Sequence, residues 1–241
     1  MTIIDIFPFL HRKFNYCRLP GITFIFCLTV LSAAGQHEIN HKKYDCGFYV
    51  KNYRVLTQDY YSYREPLGCK KHETIASIGA GNGQFEAEIS AFTDSIDWYL
   101  EDIDSSCLNR QNFNRILKYF TKLKKGPVSG NFHLVIGEEN DTHLPGHLFD
   151  RIVMVNVYHE LDNPGPLLHH VLKLLKPRGE LVISEVMARQ PGELHADCGK
   201  PRLEEHYFLG MMQVFGYKLV EEILVEPQSR LKMFFFRAAT D

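Results

Sequence analysis

The chain has 241 residues, 45% hydrophobic and 23% charged, with 27 Lys and Arg against 29 Asp and Glu and a formal charge of -2. This length and balance fit one large globular domain and exclude a low-complexity or fibrous chain, and near-neutrality leaves no nucleic-acid footprint. No repeat or Gly/Pro-rich linker divides the chain, so it reads as a leader plus one domain.

In chain order, Arg12, Lys13 and Arg18 precede an apolar stretch, Gly21 to Val30, that continues through Leu31, Ser32, Ala33, Ala34 and Gly35. At about fourteen residues it falls short of the roughly twenty that span a bilayer as a helix. Residues 1–35 therefore predict a secretory signal peptide cleaved before Gln36, with an uncleaved N-terminal anchor as the alternative. The location expected is exported or membrane-anchored, the cytoplasm staying open, and membrane contact is expected only through this segment. Cys46, Cys69, Cys107 and Cys198 follow it, an even number with no connectivity readable from sequence. Residues 36–73 are expected to form a helical segment packed on the domain, because Phe48 to Tyr63 is rich in aromatics.

From Thr74 to the C-terminus, short apolar runs alternate with amphipathic stretches at helical spacing, which predicts an α/β fold: a doubly wound, mostly parallel sheet of about seven strands. Strands are expected at Thr74 to Ile78, Ile96 to Leu100, His133 to Ile136, Arg151 to Val155 and Glu180 to Ser184. Tyr217 to Val225 and Leu231 to Arg237 read as a C-terminal antiparallel hairpin, preceded by a helix over Leu203 to Phe215. The clearest helix is Ser105 to Lys124, with Ser105 as N-cap, Cys107 as a buried free thiol inside it and Gly126-Pro127 as its stop. Its basic end, Lys118, Lys122, Lys124 and Lys125, reads as a solvated face suited to the negative helix terminus, a polyanion patch being the lesser alternative.

The segment Ile75-Ala76-Ser77-Ile78-Gly79-Ala80-Gly81-Asn82-Gly83-Gln84 runs from a strand into a glycine-rich turn that opens a helix. Gly79, Gly81 and Gly83 permit positive φ and close approach of a ligand to backbone, and the helix N-terminus presents free amides. A dinucleotide fingerprint, G-x-G-x-x-G, needs a third glycine where Gln84 stands, which disfavours a nicotinamide-dependent oxidoreductase.

This loop, together with Glu101-Asp102-Ile103-Asp104, Gly137-Glu138-Glu139-Asn140-Asp141, Asn156-Val157-Tyr158-His159-Glu160 and Leu174-Leu175-Lys176-Pro177-Arg178-Gly179, resembles the class I, Rossmann-like S-adenosylmethionine-dependent methyltransferase family over roughly Thr74 to Arg237. The resemblance implies that S-adenosyl-L-methionine is the cofactor. Asp102 first and Glu101 second would accept the ribose hydroxyls, Glu138 and Glu139 would lie beside the adenine, and Gly79, Gly81, Gly83 and Asn156 would complete the cofactor site. Where the family commonly carries an acid, two residues before the first glycine, this chain has Ser77. A hydroxyl cannot ion-pair with an ammonium, so a cofactor-binding module without turnover is the competing reading.

Methyl transfer from a sulfonium is an in-line displacement that a protein accelerates mostly by positioning. His159 and Tyr158, at the carboxyl end of the fourth strand, are the catalytic candidates, with Glu185 as a possible acceptor-pocket residue. The long stretch Ala188 to Pro201 carries His195, Asp197 and Cys198 and reads as a lid. With His206 these match no zinc spacing, so no metal is expected. The acceptor, whether small molecule, lipid or protein side chain, is not identified, and no nucleic-acid partner is expected.

Overall fold

Runs of five to twelve residues rich in Val, Ile, Leu and Phe form seven strands: β1 (Thr74–Ile78), β2 (Ile96–Asp102), β3 (Gly130–Ile136), β4 (Phe149–Val155), β5 (Leu175–Val186), β6 (Tyr217–Glu226) and β7 (Leu231–Ala238). The structure is a computed structural model and describes residues 53–239. The leader, its expected cleavage point at Gln36, Cys46 and residues 36–52 of the N-terminal segment lie outside the described residues.

The strands form one sheet in the order β3-β2-β1-β4-β5-β7-β6. β1 pairs in parallel with β2 and β4, β2 with β3, and β4 with β5, whereas β7 runs antiparallel between β5 and β6. This is the doubly wound, mostly parallel sheet with a C-terminal antiparallel hairpin that the sequence predicts. Among the described residues, five α-helices accompany it: α1 (Tyr53–Asp59), α2 (Gln84–Ser90), α3 (Arg110–Lys124), α4 (Pro164–Leu174) and α5 (Glu205–Val214).

Strand alternation builds two cores, one on each face of the sheet. Ile152, Met154, Leu181, Ile183, Phe234 and Phe236 face the layer that holds α4 and α5. Val153, Val182, Met233 and Phe235, their immediate neighbours in sequence, face the opposite layer with Leu56, Phe113 and Ile116. Phe113, Ile116 and Phe120 fall at helical spacing on one face of α3 and are each at most 1% exposed, worth about 1.5–3 kcal/mol apiece. The segment before the sheet is tied in by Leu56 and Leu67 and by Arg151, whose Nη1 donates to the Leu67 carbonyl at 2.6 Å.

Two expectations need correction. α3 begins at Arg110, five residues after Ser105, because Asn109 adopts extended backbone and its Oδ1 accepts from Asn112 N at 2.9 Å. Cys107 therefore lies in the preceding turn; it is disulfide-bonded rather than free, while Cys69 and Cys198 are free thiols. The helix ends at Lys124, as the sequence predicts, with Lys125 in the left-handed conformation at φ 58 and Gly126 N donating to Thr121 O. Among the described residues no helix is long and apolar enough to cross a membrane.

Candidate functional site

The chain leaves β1 toward β2 and β3, then returns across the sheet to β4, so the loops after β1 and β4 diverge at the carboxyl ends of two adjacent parallel strands. That reversal opens the crevice where ligands bind in such sheets. A cavity of about 850 Å³ lies there, lined by the glycine loop, the end of β2, the turn after β3 and the loop after β4. Its volume is that of a small-molecule site.

The three loop glycines all have positive φ, at 69°, 58° and 82° for Gly79, Gly81 and Gly83, yet their surroundings differ. A Cβ on Gly79 would sit 2.5 Å from Val157 Cγ2, and one on Gly83 would sit 2.6 Å from both Leu100 and Phe113. Those two are small because the protein packs against them. A Cβ on Gly81 meets nothing within 4 Å: its side-chain space is cavity.

Asp102 organises this loop. Its Oδ2 accepts from Gly81 N at 2.7 Å and its Oδ1 from Asp104 N at 2.8 Å, leaving further lone pairs toward the cavity. Burial raises its pKa against the lowering effect of those backbone hydrogen bonds. Glu101, also lining the cavity, is 2% exposed, and burial, with the Asp102 charge second, pushes its carboxyl up to about 8. Room for Glu101 depends on Gly137, where a Cβ would lie 2.0 Å from Oε1. Both predicted sugar-binding acids are thus brought to the cavity.

Glu138 and Glu139 are exposed at its mouth, in a tight turn closed by Glu138 N donating to Asp141 O at 2.7 Å. Asn156 lines the cavity at φ 56, a left-handed position that Asn tolerates better than most residues, with its amide held by Ser184 O at 2.9 Å.

Tyr158 and His159 do not line the cavity. The short 3-10 turn Tyr158–Glu160 sends Tyr158 into the core, edge-on to Phe208, where burial pushes the phenol up to about 12. His159 lies behind Glu160: its Nδ1 is 2.9 Å from Glu185 Oε2 and its Nε2 3.1 Å from Glu160 Oε1. Burial opposes charge on His159, but hydrogen bonds and charge from Glu185 and Glu160 outweigh it and raise the pKa. His195 stacks on His159 at 4.0 Å between centroids, 20° from coplanar, and burial followed by that neighbour lowers its own pKa. The ring that carries the expected lid is therefore docked on the turn, as is Lys200, whose Nζ donates to Glu160 O at 2.6 Å. Glu160 faces the cavity instead.

Residues that sequence reasoning passed over also line it. Arg64 comes from a π-helical turn, Tyr60–Arg64, and Glu86 from the first turn of α2. An acid in a helix's first turn ordinarily reads as solvated and dipole-favoured, so no local signal marks Glu86 as buried.

A family model described as "Methyltransferase domain" matches residues 50–222. No curated protein matches by sequence. Among solved structures, an S-adenosylmethionine-dependent methyltransferase from Methanosarcina mazei is 12% identical, with 74% of this chain and 99% of that one covered at a TM-score of 0.59. One from Aquifex aeolicus is 18% identical, with 78% and 98% covered and a TM-score of 0.56. The [4+2]-cyclase SpnF shares the fold at 15% identity, 73% and 61% coverage and a TM-score of 0.56. With the matched span covering most of the chain and a cavity at the switch point of a seven-stranded sheet, the chain belongs to the class I, Rossmann-like S-adenosylmethionine-dependent methyltransferase family.

Proposed function

We propose that the cavity binds S-adenosyl-L-methionine and that the chain transfers its methyl group to an acceptor in line with the departing sulfur. The observation that carries this is the open space at Gly81 directly beside the Asp102 carboxylate: a sugar edge fits where a side chain is absent, next to an acceptor of its hydroxyl protons. The bound cofactor would supply a methyl group already activated on a sulfonium.

The chain's own residues would hold and screen it. Asp102, backed by Glu101, would take the ribose; Glu138, Glu139 and the turn they start would flank the base; the loop amides and Asn156 would close around the remainder. Positioning is the main lever on such a displacement and reaches roughly 7–11 kcal/mol for well-oriented reactants. Where the acceptor must lose a proton, Glu160 is the group that faces the cavity, with His159 at 3.1 Å behind it.

A second reading, cofactor binding without turnover, is favoured by Ser77 in place of an acid and by Tyr158 and His159 lying outside the cavity. The solved cyclase of the same fold shows that architecture alone does not fix the reaction. Thermal unfolding with S-adenosylmethionine, S-adenosylhomocysteine, NAD and NADP tests the first part: stabilisation by the nicotinamide nucleotides alone would overturn it. Incubation with methyl-labelled cofactor and a cell extract tests the second, since binding without any labelled acceptor supports the non-catalytic reading.

A further inference from the structure

Among the described residues, one charged group in the cavity has a buried oxygen without a hydrogen-bond partner, and a cation beside it is only partly paired. Glu86 is 1% exposed and lines the cavity; its Oε2 has no hydrogen-bond partner among the described residues, while its carboxylate is held by the Ser77 hydroxyl. Arg64 lines the same cavity, with its guanidinium carbon 4.6 Å over the Phe85 ring; its Nε is buried without a hydrogen-bond partner among the described residues, and it pairs at 3.8 Å with Glu88 Oε1. A buried carboxylate oxygen with no donor is costly until a cation or donor arrives.

We infer that Glu86, steadied by Ser77, receives the α-ammonium group of the cofactor's amino-acid tail, and that Arg64 faces the tail's carboxylate. The assignment rests on the cofactor reading above and deepens it. An α-amino acid carries one cationic donor and one anionic acceptor on a single carbon, and the cavity offers an open acceptor at Glu86 Oε2 and a cation at Arg64, with Glu88 already placed against Arg64. The alternative loads for Glu86 fit less well: a metal ion needs several ligands from the protein, and a neutral donor would leave Arg64 unmatched. The serine in the loop is then no defect. It donates to a carboxylate from the next helix, so the negative charge reaches the tail from α2 instead of from β1. The same arrangement predicts that ligands are selected for an intact tail, against adenosyl thioethers that lack it.

Calorimetric titration of the whole protein tests this with three ligands: S-adenosylhomocysteine, its analogue lacking only the α-amino group, and 5′-methylthioadenosine, which lacks the tail. Wild type should prefer S-adenosylhomocysteine over the desamino analogue by about 10- to 100-fold, the worth of a charge-assisted hydrogen bond. Glu86→Gln should remove most of that preference while leaving methylthioadenosine affinity within about twofold, a pattern that general damage to the site would not give. If Glu86→Gln does not fold, Ser77→Ala, which frees the carboxylate, should narrow the same preference. Equal losses for all three ligands, or an unchanged preference in the variants, overturn the assignment. Binding of none of them to wild type would overturn the cofactor reading itself and this assignment with it.

Discussion

The three loop glycines give the sharpest separation between fold and ligand. At Gly83, an alanine Cβ would add left-handed strain of about 1–2 kcal/mol to an overlap with Leu100 and Phe113 at 2.6 Å, itself worth about 1–3 kcal/mol. With about 2–4 °C of melting temperature per kcal/mol in a domain of this size, Gly83→Ala should lower the unliganded Tm by about 4–20 °C. Gly81 sits at φ 58 with nothing within 4 Å of its would-be Cβ. Asn accepts left-handed backbone, so Gly81→Asn should cost at most about 1 kcal/mol while placing an amide in the cavity. The readout is the Tm shift produced by S-adenosylhomocysteine. At a hundred times the dissociation constant, wild type gains about 2.7 kcal/mol, or about 5–11 °C. A hundredfold weaker Gly81→Asn gains only about 0.4 kcal/mol at the same concentration, close to 1 °C. Differential scanning calorimetry of both variants, with and without ligand, checks both halves. A full ligand shift in Gly81→Asn, or a Gly83→Ala protein as stable as wild type, would refute the division of roles.

Three further outcomes follow from the same geometry. Because burial pushes Glu101 up to about 8, the folded protein holds a proton that the unfolded chain has released. Unliganded stability should therefore fall as pH rises from about 4.5 to about 8, by up to about 1.4 kcal/mol per unit; Glu101→Gln should flatten the profile in urea titrations, and a flat wild-type curve would contradict it. His159→Ala leaves Glu185, 0% exposed, without its partner at 2.9 Å, so it should cost about 3–5 kcal/mol in chemical denaturation. Activity lost with stability intact would return His159 to a catalytic role. Asn109→Ala should cost about 1 kcal/mol and Ser105→Ala less than about 0.5, since the cap of α3 is Asn109; the reverse order in urea denaturation would restore the earlier helix start.

The sheet was legible because each strand carries its own pattern: β1 ends where predicted, and the other strands are the predicted runs lengthened at one end or, for β5, at both. The ligand-facing backbone was legible for a related reason, since the spacing of Gly79, Gly81, Asp102 and Asn156 is local to strand ends. Two kinds of position were not. Ser105 and Asn109 are both capping types four residues apart, and what decides between them is that Asp104 first draws residues 104–108 into a turn of its own, through Cys107 N and Leu108 N to its carbonyl. Tyr158 and His159 sit at the right strand end, yet a 3-10 turn rotates successive side chains by about a third of a revolution, so only Glu160 of the three faces the cavity. Arg64 and Glu86 reach the same cavity through the packing of the segment before the sheet against α2, which no single window of sequence contains.

The cavity's charge ties these observations together. Glu86, Glu88, Glu101 and Asp102 all line it, with Arg64 alongside, and burial raises the pKa of Glu86, Glu101 and Asp102 in turn. Without a ligand, ionising these acids in a poorly solvated space is costly, and Glu101 keeps its proton up to about pH 8; a ligand bearing positive charge favours their ionised forms. On the proposed reading the methyl donor arrives with both an ammonium and a sulfonium, whereas the spent cofactor has lost the sulfonium charge. The same carboxylates that destabilise the empty protein therefore favour the donor over its product, since each negative group that the donor neutralises is less well neutralised once the methyl group has gone. Electrostatic cost in the unliganded site and preference for the charged donor are two consequences of one arrangement, and weakening either by neutralising Glu101 or Glu86 should weaken the other.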